Sequence, residues 1–330
     1  MIRGKIVFAI LLFSTISFAQ TTNSSPYSLF GIGEQARLKS VEEIAMGLMG
    51  GALDSEYQLS FTNPASYGSL QWTTYVFSGG NRTNVVNDGD VSQTSSAAAL
   101  SYIALGIPIR GNQGMVMGLQ LNTAVGYGLV DQTFDDEGEL IEVDRYSGNG
   151  GTNRVFLGYG YKFPFDLSLG LEAAYIFGSI DNNVVNRRNG VQLATQQLTD
   201  SNVRGAKIKI GAHYAPNITD RLKLKLGVAG ELDSQLNEEG NEAVFTTVNI
   251  DDGVLRPIDT LYTDEYKATI TSPLMTTISA GIGENNKWFI GAEYAFQNPI
   301  EFEGGVYDDI DFYRYESFSN ISIGGFYLPK

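Results

Sequence analysis

The sequence contains no cysteine and a single histidine, His213. The first absence excludes a disulfide framework, a thiolate metal site and a cysteine-borne lipid anchor. The two together leave no ligand set for a transition metal, and nothing in the sequence calls for a cofactor. A nucleophile–histidine–acid arrangement would have to use His213, so the chain does not read as an enzyme. Positive charge is also scarce: 22 Lys and Arg face 37 Asp and Glu, for a net charge of −15. That balance argues against a nucleic-acid partner, which needs a basic surface. Beyond the N-terminus no apolar run reaches the ~20 residues that a membrane helix requires.

What is present is alternation. In residues 221–232, RLKLKLGVAGEL, Leu222, Leu224, Leu226, Val228 and Leu232 share one face, and Arg221, Lys223, Lys225 and Glu231 share the other. A period of two means a strand with one apolar and one wet face. Residues 1–19 read as a cleaved secretory signal, with basic Arg3 and Lys5, an apolar core from Ile6 to Phe13, and a small-x-small site at Ser17-Phe18-Ala19. Export plus alternating strands predicts an all-β fold, an antiparallel transmembrane β-barrel in the outer membrane of a Gram-negative cell, with lipid as its surroundings. Thirty-eight glycines and 36 Phe and Tyr residues suit such a wall.

Three regions follow: the signal peptide (1–19), an N-terminal hatch (20–70) and the barrel (71–330). In the hatch, Ser40 and Glu43 have capping-box spacing, predicting a short helix through about Leu48 that ends at Gly50-Gly51. About ten strands follow, near 72–83, 97–109, 114–129, 151–163, 166–184, 205–216, 219–235, 265–283, 287–302 and 312–328. Short turns alternate with longer acidic loops near 84–96, 130–150, 185–204, 236–264 and 303–311, the expected polarity of an outer-membrane barrel. The acids in those loops are either solvated tips or divalent-cation sites. Parity assigns Leu169, Leu171, Tyr175 and Phe177 to lipid and Glu172 to the lumen. It gives Ile208, Ile210 and Tyr214 to lipid and Lys207, Lys209 and His213 to the lumen. Strand 97–109 is ambiguous, with Ile103, Leu105 and Ile107 competing against Leu100 and Tyr102.

Candidate functional positions are few. Lys207, Lys209, Lys223 and Lys225, with His213, form the sharpest lumen set: either they pair with the hatch acids Glu42, Glu43, Asp54 and Glu56, or they capture a ligand carboxylate. Pro273 interrupts a strand interior, and Gly126 and Gly128 flank Tyr127, so either place is a candidate wall kink. Met46, Leu48, Met49 and Leu53 either line an apolar pocket or pack the hatch against the wall.

The hatch carries a further signal. Ser25-Pro26-Tyr27-Ser28-Leu29-Phe30-Gly31-Ile32-Gly33 precedes Ala45-Met46-Gly47-Leu48-Met49-Gly50-Gly51-Ala52, and then Asn63-Pro64-Ala65-Ser66-Tyr67. This order resembles the FadL/TodX family of outer-membrane transport proteins, in a branch beginning SPYS-x-(Y/F)-G-(I/L)-G. The resemblance implies a fourteen-stranded barrel plugged by its hatch, so that about ten strands here read as a C-terminally truncated form. It implies passive uptake of hydrophobic or amphipathic small molecules, which bind near the hatch and leave through the wall. The alternative is a non-transporting barrel that serves as a subunit of an outer-membrane secretion or assembly complex, as the FadL-like PorV does.

Overall fold

The computed structural model describes residues 25–88, 91–250, 254–284, 287–307 and 315–329. The expected signal and the acids Asp251, Asp252, Asp308, Asp309 and Asp311 lie outside the described residues. The alternating segments build one curled antiparallel sheet of fourteen strands. A two-residue strand of the hatch, β1 (Glu34–Gln35), comes first. The wall then runs through β2 (Thr74–Asp88), β3 (Val91–Arg110), β4 (Gln113–Phe134), β5 (Leu140–Lys162), β6 (Leu167–Arg188) and β7 (Ala194–Tyr214). It continues as β8 (Leu222–Glu231), β9 (Ser234–Ile250), β10 (Val254–Ser272), β11 (Met275–Glu284), β12 (Trp288–Gln297), β13 (Glu301–Glu303) and β14 (Phe318–Tyr327). Successive strands pair as antiparallel neighbours from β2 to β7. Beyond β7 the sheet divides: β8, β11, β12 and β14 follow in the lower half, and β9, β10 and β13 in the upper half.

That division comes from three interruptions, at residues 232–233, 273–274 and 298–300. Each splits one pass of the chain into two strands, so the thirteen wall strands β2 to β14 amount to ten passes. Pro273 explains the middle interruption, because proline has no N–H for the ladder. Gln297 partly repairs the loss: its side-chain amide donates to the Pro273 carbonyl at 2.9 Å and to Ser272 Oγ at 3.1 Å.

The outer face carries an apolar belt. On β6, Leu169, Leu171, Tyr175 and Phe177 are exposed while Glu172, Ala174 and Ile176 are buried on the inner side. Residues 167–177 supply the ~9–11 residues that a tilted strand needs to cross a bilayer. Ile208, Ile210 and Tyr214 on β7, Leu226 and Val228 on β8, and Ile290, Tyr294 and Phe296 on β12 extend the belt. Stacked pairs Tyr175–Phe177 and Tyr294–Phe296 mark its upper rim. Tyr161, Phe163 and Phe165 pack in series at its lower rim. Aromatics at both rims are the girdles of an outer-membrane barrel. Strand 97–109 resolves through a bulge, where the register slips between Ser78 and Gly79. The slip lets both Leu100 and Ile103 face outward while Tyr102 is buried within.

The segments expected as long loops are largely strand. β4 to β7, β9 and β10 run far past the belt, and the connection from β4 to β5 shrinks to residues 135–139. On β6, residues 179–188 continue for about 30 Å along the strand beyond Phe177. Alternation disappears there because water replaces lipid on the outer face, so pairing continues without a periodic apolar signal.

Candidate functional site: the hatch–wall contact

The hatch lies against the inner face of the wall, and its glycines and caps explain how. Ser40 and Glu43 form the predicted capping box of a helix spanning Val41–Ala45: Glu43 N–H donates to Ser40 Oγ at 3.2 Å, and Ser40 N–H to the Glu43 carboxylate at 2.6 Å. The same buried carboxylate accepts from Ser60 Oγ at 2.7 Å and from the Phe61 and Thr62 amides at 3.3 and 3.2 Å. Glu43 therefore organises the hatch itself rather than pairing with a wall lysine. The helix ends earlier than expected. Its left-handed residues are Gly47 (φ +79°) and Leu48 (φ +68°), not Gly50-Gly51.

Gly50 and Gly51 serve close approach instead. Both amides donate to Oε2 of the wall residue Glu293, at 2.9 and 2.7 Å, and Lys39 reaches its other oxygen at 2.5 Å. A Cβ at Gly50 would collide with the Glu43 carboxylate, and one at Gly51 would press on Ser279 Oγ. Met46, Met49, Ala52 and Leu53 pack on Phe289 of β12, whereas Leu48 faces the space above the hatch.

Asn63 fixes the next turn. Its Oδ1 accepts from Ala65 N–H at 3.0 Å, capping the 3-10 helix Pro64–Ser69. Its Nδ2 donates to Gly51 O at 2.8 Å and to Ala212 O of β7 at 3.0 Å. Gly170 and Gly211 of the wall leave room for this turn, since a Cβ at either would strike the Pro64–Ala65 backbone or the Asn63 side chain.

Beneath the turn lies a buried charge network. Arg154 of β5 contacts Glu172 of β6 and lies 3.9 Å from Glu231 of β8. Lys207 pairs with Glu231 at 2.7 Å, and Lys209 lies 3.6 Å from Glu172 and 4.0 Å from Glu231. The hatch joins directly: Lys209 donates to Phe61 O at 3.1 Å, and the Tyr67 hydroxyl to Glu172 Oε2 at 2.8 Å. Burial pushes the Tyr67 hydroxyl well above its usual range, and the adjacent Glu172 carboxylate adds to the shift. Nearby, Lys225 holds Asp54 at 2.5 Å, and His213 Nε2 lies 3.0 Å from Ala52 O. Burial raises the Asp54 carboxyl, but Lys225 and then His213 outweigh it and hold the group below its ordinary value.

The expected lumen residues therefore divide. Lys209, Lys225 and His213 meet the hatch, Lys207 pairs within the wall with Glu231 and Ser272, and Lys223 forms no ion pair among the described residues. Asp54 alone of the four expected hatch acids meets a wall lysine; Glu172 and Glu231, from the wall itself, neutralise the others. The sequence reading passed over Arg154, Lys39 and the role of Glu231. A signal existed for Arg154, which shares inner parity with buried Phe156 on a strand whose outer face is Val155, Leu157 and Tyr159. Gly126 and Gly128 lie where β4 pairs with β5 without interruption, and the shifts in that ladder fall at Leu121/Thr123 and Thr133/Phe134 instead. Above the hatch a cavity of about 390 Å³ remains, lined by Leu48, Phe61, Lys207, Lys209, Leu236 and Met275 among others.

Residues 1–330 match the BamG family. The chain belongs to that family. No curated protein matches the sequence. BamG is a family related to the BAM complex and distinct from FadL/TodX, so the resemblance to the transport family is overturned. The packing shows why short motifs misled: Met-Gly-Leu-Met-Gly-Gly and Asn-Pro-Ala answer demands of a hatch seated on a wall. Glycine is required at Gly50 and Gly51, and a cap at Asn63. A BamG-family barrel meets those demands without sharing a transporter's function. The β-barrel fold and the family agree on an outer-membrane β-barrel.

Proposed function

We propose that this chain is a plugged, non-transporting barrel subunit of an outer-membrane assembly complex. The match to BamG over residues 1–330 carries this reading. The buried network between hatch and wall supports it. A gate must move, and moving this hatch would strip Glu172 of Tyr67, Glu293 of three donors and Lys225 of Asp54. Each such group left unpaired in a dry interior costs on the order of 1–3 kcal/mol, and more where it is charged. The hatch thus acts as a structural core of the barrel. No catalytic step is assigned to it.

The test is purification from the native outer membrane in mild detergent through a tag placed at residues 135–139, followed by native mass spectrometry. Stoichiometric co-purification with outer-membrane complex subunits is the expected result. Recovery as an isolated barrel, together with loss of hydrophobic-compound uptake in the deletion strain, would refute the reading.

A further inference from the structure

Where the wall rises past the belt, its outer face carries a small basic cavity. β5 and β6 pair without a shift from Lys162↔Ser168 to Glu142↔Arg188, so one parity holds from the belt to the top. Val143 and Arg145 therefore share the face of Val155, Leu157 and Tyr159, and Val185 and Arg187 that of Tyr175 and Phe177. Register sets Arg145 opposite Val185 and Val143 opposite Arg187. The two arginines are thus diagonal neighbours, with Cβ atoms roughly 7–8 Å apart. All four residues line a cavity of about 350 Å³, at the small end of ligand sites. Its wall is the turn from β6 to β7, with Leu255 of β10. Gly190 bends that turn at φ +78°, and Asn189 ties it to β5, its N–H donating to Ile141 O at 2.9 Å and its Nδ2 to Leu140 O at 3.0 Å.

The charges around this cavity do not cancel. Three arginines line it against one carboxylate, Glu142, which accepts from Asn186 and lies 3.4 Å from Arg188. Arg145 and Arg187 have no ion pair or hydrogen bond among the described residues, in a chain with 37 acids. Arg204 and Lys267, which also lie past the belt, both meet Glu239. Two adjacent guanidinium groups over an aliphatic floor are therefore left without a counter-charge.

We infer that this cavity binds a phosphorylated sugar. A phosphomonoester carries about two negative charges near neutral pH, matching Arg145 and Arg187, and its oxygens suit their planar forks. Val143, Val185 and Leu255 pack on the C–H face of the ring, and the Gln192 amide meets its hydroxyls. A neutral sugar lacks the charge, and bare phosphate leaves the aliphatic floor uncovered. The same face looks onto lipid lower down, so the phosphorylated sugar comes either from a neighbouring glycolipid or from solution. The site is independent of whether the chain joins a complex.

The full-length protein in detergent would be titrated calorimetrically with glucose 6-phosphate, glucose and inorganic phosphate at physiological ionic strength. Glucose 6-phosphate should bind at least about tenfold more tightly than either simpler probe. Arg145→Gln and Arg187→Gln should each weaken it about tenfold, the effect of one charge-assisted pair. Arg221→Gln, an exposed arginine away from the cavity, should leave it unchanged. Val185→Glu sets a carboxylate opposite Arg145 and should abolish binding with both arginines still present. Heat-modifiable migration verifies that each variant is folded. Native mass spectrometry of protein from its own membrane separates the sources: a phosphorylated glycolipid displaced by glucose 6-phosphate assigns the membrane, and glucose 6-phosphate binding without one assigns solution, either result supporting the site. Equal affinity for glucose 6-phosphate and a simpler probe, or affinity unchanged in the folded arginine variants, would overturn the proposal.

Discussion

Glu172→Gln is the most searching perturbation of the hatch. Glu172 is 1 % exposed and receives Arg154, Lys209 at 3.6 Å and the Tyr67 hydroxyl at 2.8 Å. The network holds three cations, Arg154, Lys207 and Lys209, and two carboxylates, Glu172 and Glu231, for a net charge of +1. Removing one carboxylate raises this to +2 in a buried site. Breaking a buried ion pair by deleting one partner typically costs about 3–5 kcal/mol. The wall keeps its ladders, so much of that cost should appear as easier release of the hatch. Every ~1.4 kcal/mol is tenfold in population, so the detached state should rise by roughly a hundredfold or more. Limited proteolysis at residues 55–58 reads that population when opening and reclosing outpace cleavage. Glu172→Gln should be cleaved at least about a hundredfold faster than the parent, and Arg154→Gln added to it should recover part of the protection, because the unpaired cation is then gone. Cleavage within twofold of the parent, or additive losses in the double variant, would refute the argument that this network seats the hatch.

Asn63→Ala removes a cap and two bonds to Gly51 and Ala212, and should lower the heat-modifiability midpoint by the equivalent of about 1–3 kcal/mol. Gly170→Ala drives a Cβ into the Pro64–Ala65 backbone and should loosen the hatch by about 1–3 kcal/mol, measured by the same proteolysis. The Asp54–Lys225 pair predicts a pH dependence. Asp54 is held below its ordinary value when folded, so its stabilisation is full above the unfolded carboxylate pKa of about 4 and is lost as pH falls through the lower folded value. Thermal midpoints of parent and Asp54→Asn should differ by a constant amount above about pH 4 and converge only below it. A difference that grew with acidity would show the opposite sign and refute the assignment.

The belt strands were legible because lipid on one side and a packed interior on the other impose a strict period. Leu169, Leu171, Tyr175 and Phe177 against Glu172 could be read with no structure at all. Past the belt that constraint lapses, and residues 179–188 look like loop although they pair throughout with β7 or β5. The lumen lysines were legible as a set, but their partners were not. Parity fixes a face, not a height, so the hatch acids seemed as available as Glu231. The family was the hardest matter, since Gly50, Gly51 and Asn63 are set by close packing that unrelated functions share.

The hatch–wall contacts also order assembly in time. Lys39 meets Glu293 across 254 residues, and Gly50 meets the same carboxylate across 243. Such contacts carry large loop-closure costs and form late. During synthesis the N-terminal segment emerges first, yet its final partners on β12 are made near the end. The Lys39 and Gly50-Gly51 part of the hatch can therefore reach its seat only once β12 is in place. Its seating is a completion mark: a barrel that has failed to place β12 leaves Gly50-Gly51 and Lys39 without their acceptor, and remains open to surveillance by proteases.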